Sequence, residues 1–335
     1  MTDTNILFCS CGRRGRLMLN AKKSLGPGSL VAGTNCFSNS PALMLCDKAF
    51  TVPKVITPGY VDIILGICRE NGINVITSLI DCEIEILAAE ADRFRSEGIL
   101  PLLPSLQTAR LCFDKYAFYK HLTANHIPTP LTYSSLDDFE RARRDGEIDF
   151  PVFMKPACGC GSIGAHRVDT PEQLRRDCET AREPYIIQEL MTGADCDVDL
   201  YVDALSRKPV SVFAKRKIAR SIGGATQTVA FKDDRVVELV GHLCSLFEFC
   251  GPVDIDLFER DGQFYVSEIN PRFGGAYLHA YGVGIDFFRM ISNNLRGVKN
   301  PPQIGCYEPD TVMMMYDEVV ITSLRQLPGT TINSL

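Results

Sequence analysis

Residues Asp254 to Gly275, DIDLFERDGQFYVSEINPRFGG, read as two β-strands, Val253–Glu259 and Gln263–Ile269, joined by the turn Arg260-Asp261-Gly262. Side chains two apart on a strand share a face, and a hairpin brings its strand ends together. Glu268 and Asn270 can therefore converge on one point with Asp256 across from them. Two carboxylates and a carboxamide make a hard oxygen site suited to Mg2+ carrying nucleotide phosphates. Arg272, two residues further on, brings a fixed positive charge to the same side if the chain stays extended. The competing reading is a solvated acidic hairpin face. Apolar and aromatic residues between the acids, and Asn-Pro-Arg then Gly-Gly directly after the carboxamide, favour the metal.

Working outward, the chain of 335 residues is 45% hydrophobic and 23% charged, an ordinary globular composition with room for two or three domains. A net charge of −6 offers no footprint for nucleic acid. No apolar run reaches bilayer length, and NILFCS followed by GRRGR is the wrong order for a secretory signal, so a cytoplasmic protein is expected. The 14 cysteines are scattered through a large chain, as small apolar residues of a reduced protein would be. The pairs Cys9/Cys11 and Cys158/Cys160 lack the further ligands of a zinc site.

The first hundred residues alternate strand-like runs (Asn5–Ser10, Leu30–Thr34, Val75–Ser78) with amphipathic helices (Tyr60–Asn71, Glu83–Arg95), which predicts a doubly wound parallel sheet. Ligands bind beyond the carboxyl ends of such strands. There Arg13 and Arg14 stand opposite Asp81 and Glu83, a set suited to the carboxylate and ammonium of an amino-acid-like substrate. They read equally well as ordinary loop and cap charges. A helical pattern runs from Ser105 to Asn125, and Ile127-Pro128-Thr129-Pro130 reads as a linker.

Strand Pro151–Lys155 leads into a loop with Gly159, Gly161 and Gly164, whose backbone N–H groups can close over phosphate, and then into strand Ala165–Val168. Lys155 at that strand end suits an anion better than it suits a sheet interior. Tyr185–Met191 is an apolar strand that could offer backbone groups to a base edge beside Leu190 and Met191. The cluster Lys215, Arg216, Lys217 and Arg220 is either a solvated edge or a phosphate-facing surface. Helices are expected over Arg235–Phe249 and Asp286–Arg296, and Met313-Met314-Met315 reads as packing.

Together these motifs resemble the ATP-grasp superfamily, most closely short single-unit proteins similar to one half of the carbamoyl phosphate synthase large subunit. The resemblance covers roughly residues 5 to 296, and its most specific parts are SEINPR (Ser267–Arg272), PVFMKP with GCGSIG, Asp114-Lys115, and IIQEL with GAD. SPAL, YVDIILGICRENGINV and SLIDCEIEILA look like the region preceding the grasp in that subgroup. The resemblance implies an α/β protein with a pre-ATP-grasp substrate domain (1–104), a small central subdomain (105–184) and a carboxyl-terminal subdomain (185–335). By position, Lys115 and Lys155 would contact nucleotide phosphates under a closing loop, Gly159 to Gly164, that includes Gly161, Ser162 and Ile163. Gln188, Glu189, Leu190 and Met191 would line the adenine slot, and Asp195 would reach the ribose. Asp256, Glu268 and Asn270 would hold Mg2+ or Mn2+, while Arg272, Lys217 and Arg220 would offset charge on the transferring phosphoryl group. The chain departs from the pattern at Asp195, usually glutamate, and at Asp256, glutamine in the synthase-like relatives.

The implied reaction is ATP-dependent joining of a small carboxylate to an amine through an acyl phosphate. Phosphorylation or carboxylation without ligation is a second reading, and a non-catalytic nucleotide-binding regulator a third. Small molecules rather than nucleic acid or membrane are the implied partners, with a homodimer through the amino-terminal domain as a further expectation. No glutaminase domain, second synthetase half or biotin partner is legible, which argues against authentic carbamoyl phosphate synthesis.

Overall fold

The computed structural model describes residues 3–159, 164–221 and 224–329. The amino-terminal part contains β1 (Ile6–Cys9), α1 (Gly15–Leu25), β2 (Val31–Asn35), β3 (Lys48–Thr51), α2 (Tyr60–Asn71), β4 (Val75–Ser78), α3 (Asp81–Ala89), α4 (Ala91–Ser96) and β5 (Leu100–Pro101). Its strands pair in parallel in the order β3-β2-β1-β4-β5. Both faces are covered: Ile6 and Phe8 enter one apolar cluster, Leu7 and Cys9 another. This is why the strands read as continuous apolar runs. Strand order reverses between β1 and β4, so the loops after these two strands flank the crevice where such sheets take ligands. The single helix expected over Glu83–Arg95 is interrupted at Glu90, which separates α3 from α4.

Next come α5 (Leu106–Phe113) and α6 (Lys115–Ala124). The one helix expected from Ser105 to Asn125 is two because Asp114 caps the second, its Oδ1 accepting the N–H groups of Tyr116 (3.0 Å) and Ala117 (2.9 Å). An aspartate that can satisfy free N–H groups ends one helix and starts another. A small antiparallel sheet, ordered β6-β9-β7-β8, follows from β6 (Thr132–Tyr133), α7 (Leu136–Arg144), β7 (Val152–Pro156), β8 (His166–Val168), α8 (Pro171–Thr180) and β9 (Tyr185–Glu189).

The remainder comprises β10 (Ala194–Val202), β11 (Pro209–Ser221), β12 (Gly224–Phe231), α9 (Asp234–Leu246), β13 (Gly251–Arg260), β14 (Gln263–Asn270), α10 (Tyr277–Gly282), α11 (Phe287–Leu295) and β15 (Val312–Met314). Its antiparallel sheet runs β14-β13-β10-β11-β12-β15. One face is apolar: Val198, Leu200, Ile255 and Leu257 pack on Val236, Val240 and Leu243 of α9 and Phe118 of α6. On the other face, Tyr201 and Phe213 join the core of the amino-terminal sheet, and the positions beyond them along the same strands are charged. Met313 and Met314 lie in the edge strand β15 rather than in a packed core, with Met314 68% exposed.

Candidate active site

The charged face is centred on the β13–β14 hairpin. Its turn is the two residues Asp261 (φ 51°) and Gly262 (φ 76°), one residue shorter than the sequence reading, because β13 continues through Arg260. Two positive φ values mark the tight hairpin turn whose twist matches that of its strands. The register sets Asp256 opposite Glu268 and Asp254 opposite Asn270. The Asn270 amide donates to Asp256 Oδ2 (3.3 Å) and Asp254 Oδ2 (3.4 Å), which leaves its carbonyl oxygen for a cation. Glu268 has no hydrogen bond or ion pair among the described residues, and burial, then the charge of Asp256, raise its pKa. Two carboxylates set opposite one another on paired strands, with a carboxamide oxygen beside them, fit a divalent metal.

Lys155 and Lys115 share this field. Burial lowers the Lys155 pKa, Lys115 adds to the effect, and Glu268 opposes it. Lys115 opens α6 and donates to the Gly159 carbonyl (2.9 Å), which ties it to the loop after β7. Gly161, Ser162 and Ile163 lie outside the described residues.

Lys217 pairs with Asp256 and, at 3.3 Å, with Asp195, which Arg220 also engages. Residues three apart on a regular strand face opposite ways. Irregular pairing of β11 with β12 around Ala219 returns Arg220 to the side of Lys217. Gln188 is turned into the small sheet, donating to Thr132 Oγ1 (2.9 Å), while Glu189 pairs with Arg260 and accepts the Leu131 N–H (3.2 Å). Leu190 and Met191 continue beyond them half-buried.

The four residues expected to meet a substrate have separate environments. Arg13 is exposed and has no partner among the described residues. Arg14 donates to the carbonyls of Phe273 (3.2 Å) and Gly274 (2.5 Å). Asp81 pairs with Arg272 at 3.0 Å. Glu83 is fully buried and accepts from Tyr60 and from Ser78 Oγ (2.6 Å), with a pKa raised by burial. Both of its oxygens are committed inside the domain, which corrects the expectation that it faces a ligand.

Lys215, expected on a solvated edge or facing phosphate, is instead enclosed by aspartates that the sequence reading did not join to it. Lys215, with no exposed surface, holds Asp199 at 2.5 Å and Asp197 at 3.2 Å, and ligand atoms of Asp197, Asp199 and Asp254 lie within 4.8 Å of one another. The period of two in Asp195, Asp197, Asp199 and in Lys215, Lys217 was the available signal.

Two domain families match this chain: the PylC-like amino-terminal domain over residues 6–102 and the ATP-grasp domain over residues 112–276. Residues 112–276 are an ATP-grasp domain. Among curated relatives, a formate-dependent phosphoribosylglycinamide formyltransferase from Mycolicibacterium gilvum is 25% identical over 175 residues, 51% of this chain and 41% of that protein. The arginine-specific carbamoyl phosphate synthase large chain of Bacillus subtilis is 25% identical over 256 residues, 71% of this chain and 24% of that one. The chain thus spans less than half the length of either relative. The crystal structure of an L-amino acid ligase from Bacillus licheniformis superposes with a TM-score of 0.68 at 18% identity, covering 90% of this chain and 76% of that one, a likeness of fold. Among the described residues no helix is long and apolar enough to cross a membrane.

Proposed function

We propose that this protein is an ATP-dependent ligase joining a small-molecule carboxylate to an amine. The observation that carries the reading is Glu268, an acid with no partner among the described residues, opposite Asp256 and with Lys155 and Lys115 in the same field. Asp256, Glu268 and Asn270 would hold Mg2+ or Mn2+, which when bound supplies charge neutralisation for the ATP phosphates.

In the first step an oxygen of the acid attacks the γ-phosphorus, the bond to ADP breaks, and an acyl phosphate forms. Lys115 and Lys155 bind phosphate oxygens, and an anion beside Lys155 restores the charge that burial disfavours. Lys217 and Arg220 are held by Asp256 and Asp195 ahead of the nucleotide. With Asp195 turned to the ribose and Asp256 holding the metal, Lys217 and Arg220 would be free to bind phosphate oxygens. Arg272, whose pKa is raised by Asp81 and Asp254 against burial, stays charged to offset the equatorial oxygens. In the second step the amine nitrogen attacks the acyl carbon, phosphate leaves and the nitrogen loses a proton. No protein nucleophile is required.

The test is phosphate release from ATP and Mg2+ across acids and amines, singly and in pairs, with product masses and Glu268→Gln as control. Release that needs one particular pair, with a product equal to acid plus amine less water, supports the ligase. Release with an acid or bicarbonate alone supports phosphorylation or carboxylation instead.

A further inference from the structure

Arg272 belongs to the carboxyl-terminal sheet, but its guanidinium is held from the amino-terminal one. Nη2 donates to Asp81 Oδ2 (3.1 Å), and Nε stands 3.0 Å from Oδ1 as a second ion-pair contact without hydrogen-bond geometry, with both side chains largely buried (15% and 11% exposed). One charge-assisted hydrogen bond backed by a second close charge contact restrains where the guanidinium sits. Asp254 stands further off at 3.6 Å, and the remaining nitrogen, Nη1, donates to the Phe273 carbonyl at 3.1 Å. Arg14 grips the same loop from the end of β1, through the Phe273 and Gly274 carbonyls. Asp81 opens α3 just beyond β4, so the two residues flank the point where strand order reverses.

A free ammonium ligand would keep at least one oxygen for the amine. Both Asp81 oxygens face Arg272, Oδ2 by a hydrogen bond and Oδ1 by charge alone. We infer that Asp81 is a positioning residue for Arg272, so that the amino-terminal domain orients the arginine of the phosphoryl site across the domain joint. This rests on the ligase reading for what Arg272 does. It assigns Asp81 no contact with substrate, and leaves Arg13 as the cation free to meet a substrate carboxylate.

The experiment is a double-mutant cycle of Asp81→Asn, Arg272→Ala and both, with Asp81→Glu added, read by steady-state kinetics and by urea unfolding. Asp81→Asn is expected to lower kcat by about 10- to 100-fold, the scale of a misplaced charged group. The KM values for ATP and amine should change by less than about threefold. The double variant should be no slower than Arg272→Ala alone, Asp81→Glu should recover part of kcat, and the unfolding effects of the single variants should sum to more than that of the double. A raised KM for the amine with kcat retained, or losses in kcat that multiply, overturns the inference in favour of a substrate contact. Additive unfolding effects with turnover intact overturn it for Asp81 alone. Absence of phosphate release from the wild type for every pair removes the ligase reading, and the catalytic half of this inference with it.

Discussion

Replacing Lys215 by methionine keeps the unbranched stem and removes the ammonium from a site with no exposure. At an effective dielectric constant of about 20, contacts at 2.5 Å and 3.2 Å correspond to roughly 7 and 5 kcal/mol of attraction. Most of that offsets desolvation, and breaking a buried pair from one side costs about 3–5 kcal/mol net. The cost should depend on pH. Burial already pushes Asp199 up to about 6 and Asp254 well above the carboxylate range, Asp197 adding to the latter. Without Lys215 these folded-state values climb further above those of the unfolded chain. An acid raised in the folded state destabilises above its raised pKa and is relieved below it. Urea unfolding of both proteins should therefore show the largest deficit near about pH 8 and a smaller one near about pH 6. Adding Asp199→Asn should recover part of the loss. A deficit below about 1 kcal/mol, or one constant with pH, would refute the network as the source of stability.

Other expectations concern single groups. His279 is held at about 4, from an ordinary 6.5, by burial and then by Lys215, while its ring nitrogens meet Thr228 and Thr311. Its folded pKa is depressed, so about 3 kcal/mol is lost as pH falls from the higher value to the lower, and His279→Gln should flatten that slope in unfolding titrations. Because the Glu268 pKa is raised, Mg2+ affinity measured by calorimetry should decline on acidification before the ordinary carboxylate range is reached. A Cβ on Gly274 would lie 2.6 Å from both Asp199 Oδ1 and Asp254 Oδ1, so Gly274→Ala should cost about 1–3 kcal/mol by chemical denaturation. Gly241 lies within α9 with open space around it, and Gly241→Ala should stabilise by about 0.5–1 kcal/mol.

The hairpin acids were legible because strand period and turn chemistry are local: they put Asp256, Glu268 and Asn270 together without reference to the rest of the chain. Helix Tyr60–Asn71 was readable for the same reason, with Gly72 in the left-handed conformation ending it. What stayed hidden depends on which strands become neighbours. Lys215 meets its aspartates because β11 and β13 flank β10, and Asp81 meets Arg272 because two separate sheets abut. A period of two shows which residues share a face of a strand, and does not show which strands become neighbours. The short strands β3 and β5 escaped notice for lack of length, and Arg220 reaches Asp195 through an irregularity that alternation alone would have denied.

The outer edge of β12 is covered by β15, Gln227 pairing with Met314 and Val229 with Val312, and the chain then returns to the amino-terminal part through Arg16–Glu318 and Thr51–Pro328. A ribosome making this protein has therefore exposed the edge of a long, folded sheet well before it supplies the strand that caps it. Unpaired edges recruit other strands. Chains cut short between β14 and β15 should accordingly self-associate, although every residue discussed for phosphoryl transfer would already be present.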